Sequence, residues 1–225
     1  MPPPSPSTIA GSVGGPPVKP RLRGMLHLIA FPVSVVAGAV LVLFVAGDAT
    51  ERWGCLIYAL ASAELFGVSA LYHRGHWDAR THALLRRLDH SNIFLMIAGT
   101  YTPICLALLD GRARTAVLAV VWVGALAGIV FRVAWLSAPA WLYTPFYVAL
   151  GWVAVGVLPA LAREGGPGIV AFIVAGGLAY SAGGLVYALR RPNPVPGVFG
   201  YHEVFHACTL VGYVCHYVAV VLALQ

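Results

Sequence analysis

The sequence predicts an all-α polytopic membrane protein, a seven-helix transmembrane bundle with its N-terminus in the cytoplasm. Three observations predict it. Of 225 residues, 60% are hydrophobic and only 10% charged, with a mean hydropathy of +0.82, whereas a soluble domain carries about a quarter charged residues. The apolar residues fall into seven runs, each near the roughly 20 residues needed to cross a bilayer core as a helix. Finally, the 14 Lys and Arg residues cluster at the ends of those runs and divide unequally between the two sides.

Residues 1–20 are rich in Pro, Gly and Ser. Such a composition cannot bury a core, and it reads as a disordered cytoplasmic tail ahead of one membrane domain, 21–225. Lys19, Arg21 and Arg23 abut the first span, so the start lacks the basic, apolar and small-residue order of a signal peptide. The spans read as Met25–Ala46, Trp53–His73, Asp89–Leu109, Thr115–Leu136, Trp141–Leu161, Gly168–Leu189 and His202–Leu224. Between the second and third, Trp77–Leu88 alternates leucines with Arg80, Arg86 and Arg87 and reads as a short basic interfacial helix. Paired glycines at Gly176-Gly177 and Gly183-Gly184 predict close helix contacts.

One set of segments carries Lys19, Arg21, Arg23, Arg74, Arg80, Arg86, Arg87, Arg132, Arg190 and Arg191, and the other Arg52, Arg112, Arg114 and Arg163. That bias puts the first set, and the N-terminus, in the cytoplasm, and the C-terminus outside. The net charge of +6 is therefore a topology signal and an attraction to anionic lipid. A nucleic-acid partner is not expected, because the basic residues cap helices rather than cover one soluble face. Cys55, Cys105, Cys208 and Cys215 form no C-x-x-C pair and read as packing residues.

Depth then places the polar residues. His202 and His206 open the seventh span four residues apart, which puts both imidazoles on one helix face with Cβ atoms about 5–6 Å apart. His73 ends the second span and Asp89 starts the third, on the same cytoplasmic side. Ser69 lies one turn deeper than His73 on its face. Three histidines with an open position are the ligand set of a catalytic zinc site, His73, His202 and His206, where bound water is acidified towards neutrality. Asp89 is placed to take a proton from that water, and Ser69 to donate to it or to a developing oxyanion. Taken singly, His73 and Asp89 also read as helix-end polar residues, and Ser69 as a packing residue; their convergence favours the site.

Other polar residues have separate readings. His216 lies about 15 Å beyond His206 along the axis, too far for the same metal, and reads as a satisfied buried histidine. Glu64, midway through the second span, reads as protonated and hydrogen-bonded or as part of a proton path. His27, His76, His82 and His90 carry no assignment. His202-Glu-Val-Phe-His206 also matches the H-E-x-x-H metalloprotease helix, with Glu203 as base, but lacks a well-placed later ligand.

Ser69-Ala-Leu-Tyr-His73, the stretch Leu88-Asp89-His-Ser-Asn through Thr-Tyr-Thr-Pro103, and His202-Glu-Val-Phe-His206 follow one another in this order. Together they resemble the hemolysin III family, the bacterial branch of the progestin and adipoQ receptor superfamily, which in turn resembles the alkaline ceramidases. The resemblance covers about residues 20–225. It implies seven helices in a bacterial cytoplasmic membrane, a Zn2+ ion on His73, His202 and His206, and roles for Asp89 and Ser69. It also implies hydrolysis of a lipid amide or ester, with membrane lipid as substrate or ligand. A non-enzymatic membrane sensor with structural zinc, a pore or transporter using Glu64 and His216, and an intramembrane protease are the other readings.

Overall fold

A computed structural model describes residues 19–225. The predicted tail, 1–20, therefore lies almost wholly outside the described residues. Among the described residues every regular element is helical, apart from one isolated bridge between Val195 and Phe199. Its helices are α1 (Met25–Val40, continuing as a π turn over Leu41–Val45), α2 (Ala49–Arg74), α3 (Ala79–Leu108), α4 (Gly111–Ala134), α5 (Ala140–Gly151), α6 (Leu158–Leu189) and α7 (Tyr201–Ala223). Among the described residues, six helical stretches are long and apolar enough to cross a membrane.

Trp141–Leu189 forms one of those stretches, and its 49 residues do not run straight. Gly166 has φ 79° and ψ 171°, outside the helical region and in a conformation that only glycine adopts cheaply. Pro167, which lacks an N–H, follows it. The chain doubles back there, and the Tyr143 hydroxyl comes within 3.5 Å of the Tyr187 hydroxyl. A second irregularity joins α5 to α6, a 3₁₀ segment over Trp152–Val157. The Tyr101 hydroxyl holds its start, donating to the Gly151 carbonyl and accepting from the Ala154 N–H, both at 2.7 Å.

The outward faces carry large apolar side chains, among them Ile29, Val36, Phe44, Val123 and Val130. With no polar face toward water along these helices, the chain is an integral membrane protein. Inside, α2 packs along α1 and α3, α3 also along α4, and α7 along α6 while touching α1 and α3. The expected glycine contacts occur. Gly176 lies against His216 and the Gly212 carbonyl, and Gly183 against Cys208 and Phe205. Cys55 and Cys105 are buried, and all four cysteines are free thiols.

One expectation fails. Trp77–Leu88 is not a separate interfacial helix, because α3 starts at Ala79 and runs unbroken through Asp89 to Leu108. Ala, Leu and Arg are strong helix formers, and between Ala79 and Asp89 no Gly or Pro interrupts them. Asp78 caps the new start, accepting from the N–H groups of Arg80 and Thr81 at 2.9 and 3.1 Å and from the Thr81 hydroxyl at 2.6 Å.

Candidate metal centre

The last turns of α2 bring Ser69 and His73 to one end of the bundle, both buried. Gly24 lets the chain entering α1 close over them. It has φ 78°, and a Cβ there would sit 2.6 Å from the His73 Cβ. That approach places Arg23 beside the start of α7, where its Nε donates to Glu203 Oε1 at 2.5 Å. Glu203 Oε2 accepts from the Gly200 N–H at 2.8 Å, satisfying a helix-end donor. Both carboxylate oxygens of Glu203 are thus engaged at the helix start. Neither oxygen is left free, as the base of the metalloprotease pattern would be.

His202 and His206 turn the other way round α7, towards α2. Nε2 of His202 lies 3.1 Å from Nε2 of His73, and the rings of His73 and His206 are 5.3 Å apart. One ligating nitrogen from each of His73, His202 and His206 can be chosen so that all lie within 4.8 Å of one another. Two imidazole nitrogens on one tetrahedral ion, each at about 2.0–2.1 Å, stand about 3.3 Å apart. The donor set therefore fits a metal ion both in chemistry and in spacing. Asp89 approaches from α3, its Oδ2 3.8 Å from His73 Nε2.

Inward from the cluster lies a cavity of about 140 Å³, walled by Ser69, Asp89, His202 and His206 at one end and by Tyr101, Trp152 and His216 at the other. Between them its wall is largely apolar, with Leu65, Ile93, Ile97 and Phe205 among the residues there. Asp89 to Tyr101 spans twelve residues of α3, so the cavity runs about 18 Å along the helix axis. All five residues singled out for chemistry, Ser69, His73, Asp89, His202 and His206, thus converge at one place, and four of them also line this cavity.

A family model described as haemolysin-III related matches residues 17–217. The chain belongs to that family. A hemolysin-3 homolog of Bacillus subtilis (strain 168) is 31% identical over 193 residues, covering 84% of this chain and 87% of the relative. Hemolysin-3 of Bacillus cereus is 31% identical over 172 residues, 75% of this chain and 78% of the relative. A rice protein (Oryza sativa subsp. japonica) named heptahelical transmembrane protein ADIPOR2 is 32% identical over 195 residues, 77% and 83% of the two chains. No solved structure matches significantly.

In this haemolysin III-related chain the structure also adds residues to the site. His27 is buried, lines the cavity and stacks on His206 with ring centroids 3.7 Å apart and planes 2° from parallel. Neither of its ring nitrogens has a protein partner. A signal was available, since His27 enters the first span at the same leaflet as the other histidines. Arg23, a topology charge in the sequence, joins the site through its contact with Glu203. His216 is satisfied away from the cluster, its Nε2 3.2 Å from the Ile173 carbonyl. Glu64 is exposed on the outer face of α2 and does not line the cavity, so the two residues do not form one polar path.

Proposed function

We propose that this chain is a zinc-dependent membrane hydrolase that cleaves an amide or ester bond of an acyl lipid from within the bacterial cytoplasmic membrane. The observation that carries the reading is the junction of a three-histidine cluster with a long apolar cavity, flanked by a carboxylate and a hydroxyl. A catalytic centre open to an apolar slot suits a substrate with a polar head and a hydrocarbon tail.

When bound, zinc supplies a Lewis acid at the end of the cavity and acidifies water there. Asp89 accepts the proton of the attacking water and returns it to the departing amine or alkoxide. Ser69 donates its hydroxyl hydrogen to the carbonyl oxygen as negative charge develops on it. The apolar wall holds the acyl chain and keeps bulk water from the reacting bond. Water adds across the bond, so one carboxylic acid and one amine or alcohol leave.

Seven crossings with the N-terminus inside belong to the same proposal. The 49 residues of Trp141–Leu189 make about 74 Å of helix, more than twice a hydrocarbon core of about 30 Å. Folded at Gly166 they form two crossings, and the Lys and Arg bias orients the whole. Metal analysis of purified protein tests the centre: about one zinc per chain is expected, and its loss in His206→Ala. Metal-free, well-folded wild type would end the hydrolase reading. A regulator with structural zinc is the second reading, favoured by the way the cluster ties α2 to α7 across 129 residues of sequence. It predicts that metal removal lowers thermal stability while no lipid amide or ester is turned over.

A further inference from the structure

His90 stands on the cavity wall beside the proposed chemistry and takes no part in it. Behind it is Arg132, fully buried in the last turn of α4. The guanidinium donates from Nη1 to the Trp135 carbonyl at 3.3 Å, meets His90 Nδ1 through Nη2, and lies 4.2 Å over the ring of Tyr143. These contacts contain no carboxylate. The cation is held by a helix C-terminus, an aromatic face and one imidazole.

That arrangement dictates where the imidazole carries its proton. A guanidinium only donates and stays charged, so His90 Nδ1 must accept. Nδ1 then has no hydrogen, the ring is neutral, and its one N–H is at Nε2. Among the described residues Nε2 has no protein partner, and it is not one of the buried unsatisfied atoms. The ring borders the cavity together with Tyr143, Tyr147 and Tyr187. The wall of a largely apolar cavity thus carries a ring with one fixed, unpartnered N–H donor, and the full positive charge behind the ring strengthens that donor.

We propose that His90 is a ligand-binding residue that donates its Nε2–H to a head-group oxygen of the acyl ligand, an amide or ester carbonyl or an adjacent hydroxyl. Arg132 is the positioning residue that fixes the tautomer. The inference rests on the cavity being an acyl-lipid site, but not on turnover. Two oriented oxygen contacts, Ser69 and His90, then bracket the head of a chain that the apolar wall holds.

The probe is palmitamide, added to detergent-solubilised full-length protein carrying 15N-labelled histidine. Nuclear magnetic resonance is expected to show His90 as the Nε2–H tautomer in wild type and as a mixture of tautomers in Arg132→Met. Palmitamide is expected to shift the Nε2–H signal. His90→Phe should bind palmitamide about tenfold more weakly, the worth of one charge-assisted hydrogen bond in a dry site. His90→Gln should stay within about twofold, because its carbonyl accepts from Arg132 while its amide still donates. A proton on Nδ1 in wild type overturns the proposal, and that measurement needs no variant to fold. Equal affinities for the Phe and Gln variants overturn it too. If the tautomer and the affinities hold but no lipid amide or ester is hydrolysed, the hydrolase reading falls and this site stands.

Discussion

Glu203 separates two accounts of the same five residues. In a metalloprotease helix it is the base, whereas in this structure it closes the start of α7 and pairs with Arg23. The perturbation is Glu203→Ala. Its carboxylate is 1% exposed and the Arg23 side chain 19%, so truncation leaves a mostly buried cation without its partner. Breaking a buried pair costs about 3–5 kcal/mol, and the residual access of Arg23 to water puts this one near 3. Loss of the acceptor for the Gly200 N–H adds about 1 kcal/mol. A total of about 4 kcal/mol corresponds to a fall in Tm of roughly 8–16 °C for a chain of this size. Glu203→Gln keeps one carbonyl oxygen, an acceptor for one of the two donors, and should lose about half as much. The assay is thermal unfolding in detergent followed by the fluorescence of the six tryptophans, with metal content measured on the same samples. Both variants should keep the metal content of wild type. An unchanged Tm accompanied by loss of metal or of lipid hydrolysis would refute this account and restore Glu203 to the chemistry.

Three further outcomes are expected. Asp89→Asn should lower lipid amidase or esterase turnover by about 10²–10⁴-fold while zinc content stays near that of wild type, and equal turnover in paired assays would remove Asp89 from the mechanism. Gly183→Leu should cost about 1–3 kcal/mol by overpacking, since even a Cβ there meets the Cys208 Cβ at 2.9 Å; unchanged thermal unfolding would contradict the α6–α7 contact. Hydrogen bonds from the Thr81 hydroxyl and from the N–H groups of Thr81 and Arg80 hold the Asp78 carboxyl below its ordinary value. Its contribution to stability is therefore complete above the ordinary carboxylate range and is lost as pH falls through the lower folded value. Wild type should exceed Asp78→Ala in Tm near neutral pH, and the two should converge in acid; a gap that widens in acid would contradict this.

Much of the fold was legible because a bilayer imposes a strong and simple constraint. An apolar run of about 20 residues has few alternatives to a helix, and the first, second, fourth and seventh predicted runs coincide with helices to within a few residues. The fifth and sixth fall together in Trp141–Leu189, broken by the 3₁₀ segment Trp152–Val157 and at Gly166. The third run does not coincide, because its helix begins ten residues before Asp89. Hydropathy detects where a helix enters lipid, whereas Asp78 and the helix formers after it decide where the helix begins. The site was legible for a related reason. Each helix rises 1.5 Å per residue, so sequence position inside a span is a depth, and Ser69, His73, Asp89, His202 and His206 share one.

Depth is one coordinate of three. The sequence by itself determined which residues lie in the same leaflet and, by four-residue spacing, which of them share a helix face. Rotation of each helix about its axis and the choice of neighbour are set by side-chain packing between helices, which no single run encodes. Only the tertiary structure therefore stacked His27 on His206, spent Glu203 on Arg23 and Gly200, and turned Glu64 outward. For the same reason it alone set Arg132 behind His90, on α4 and α3, 42 residues apart.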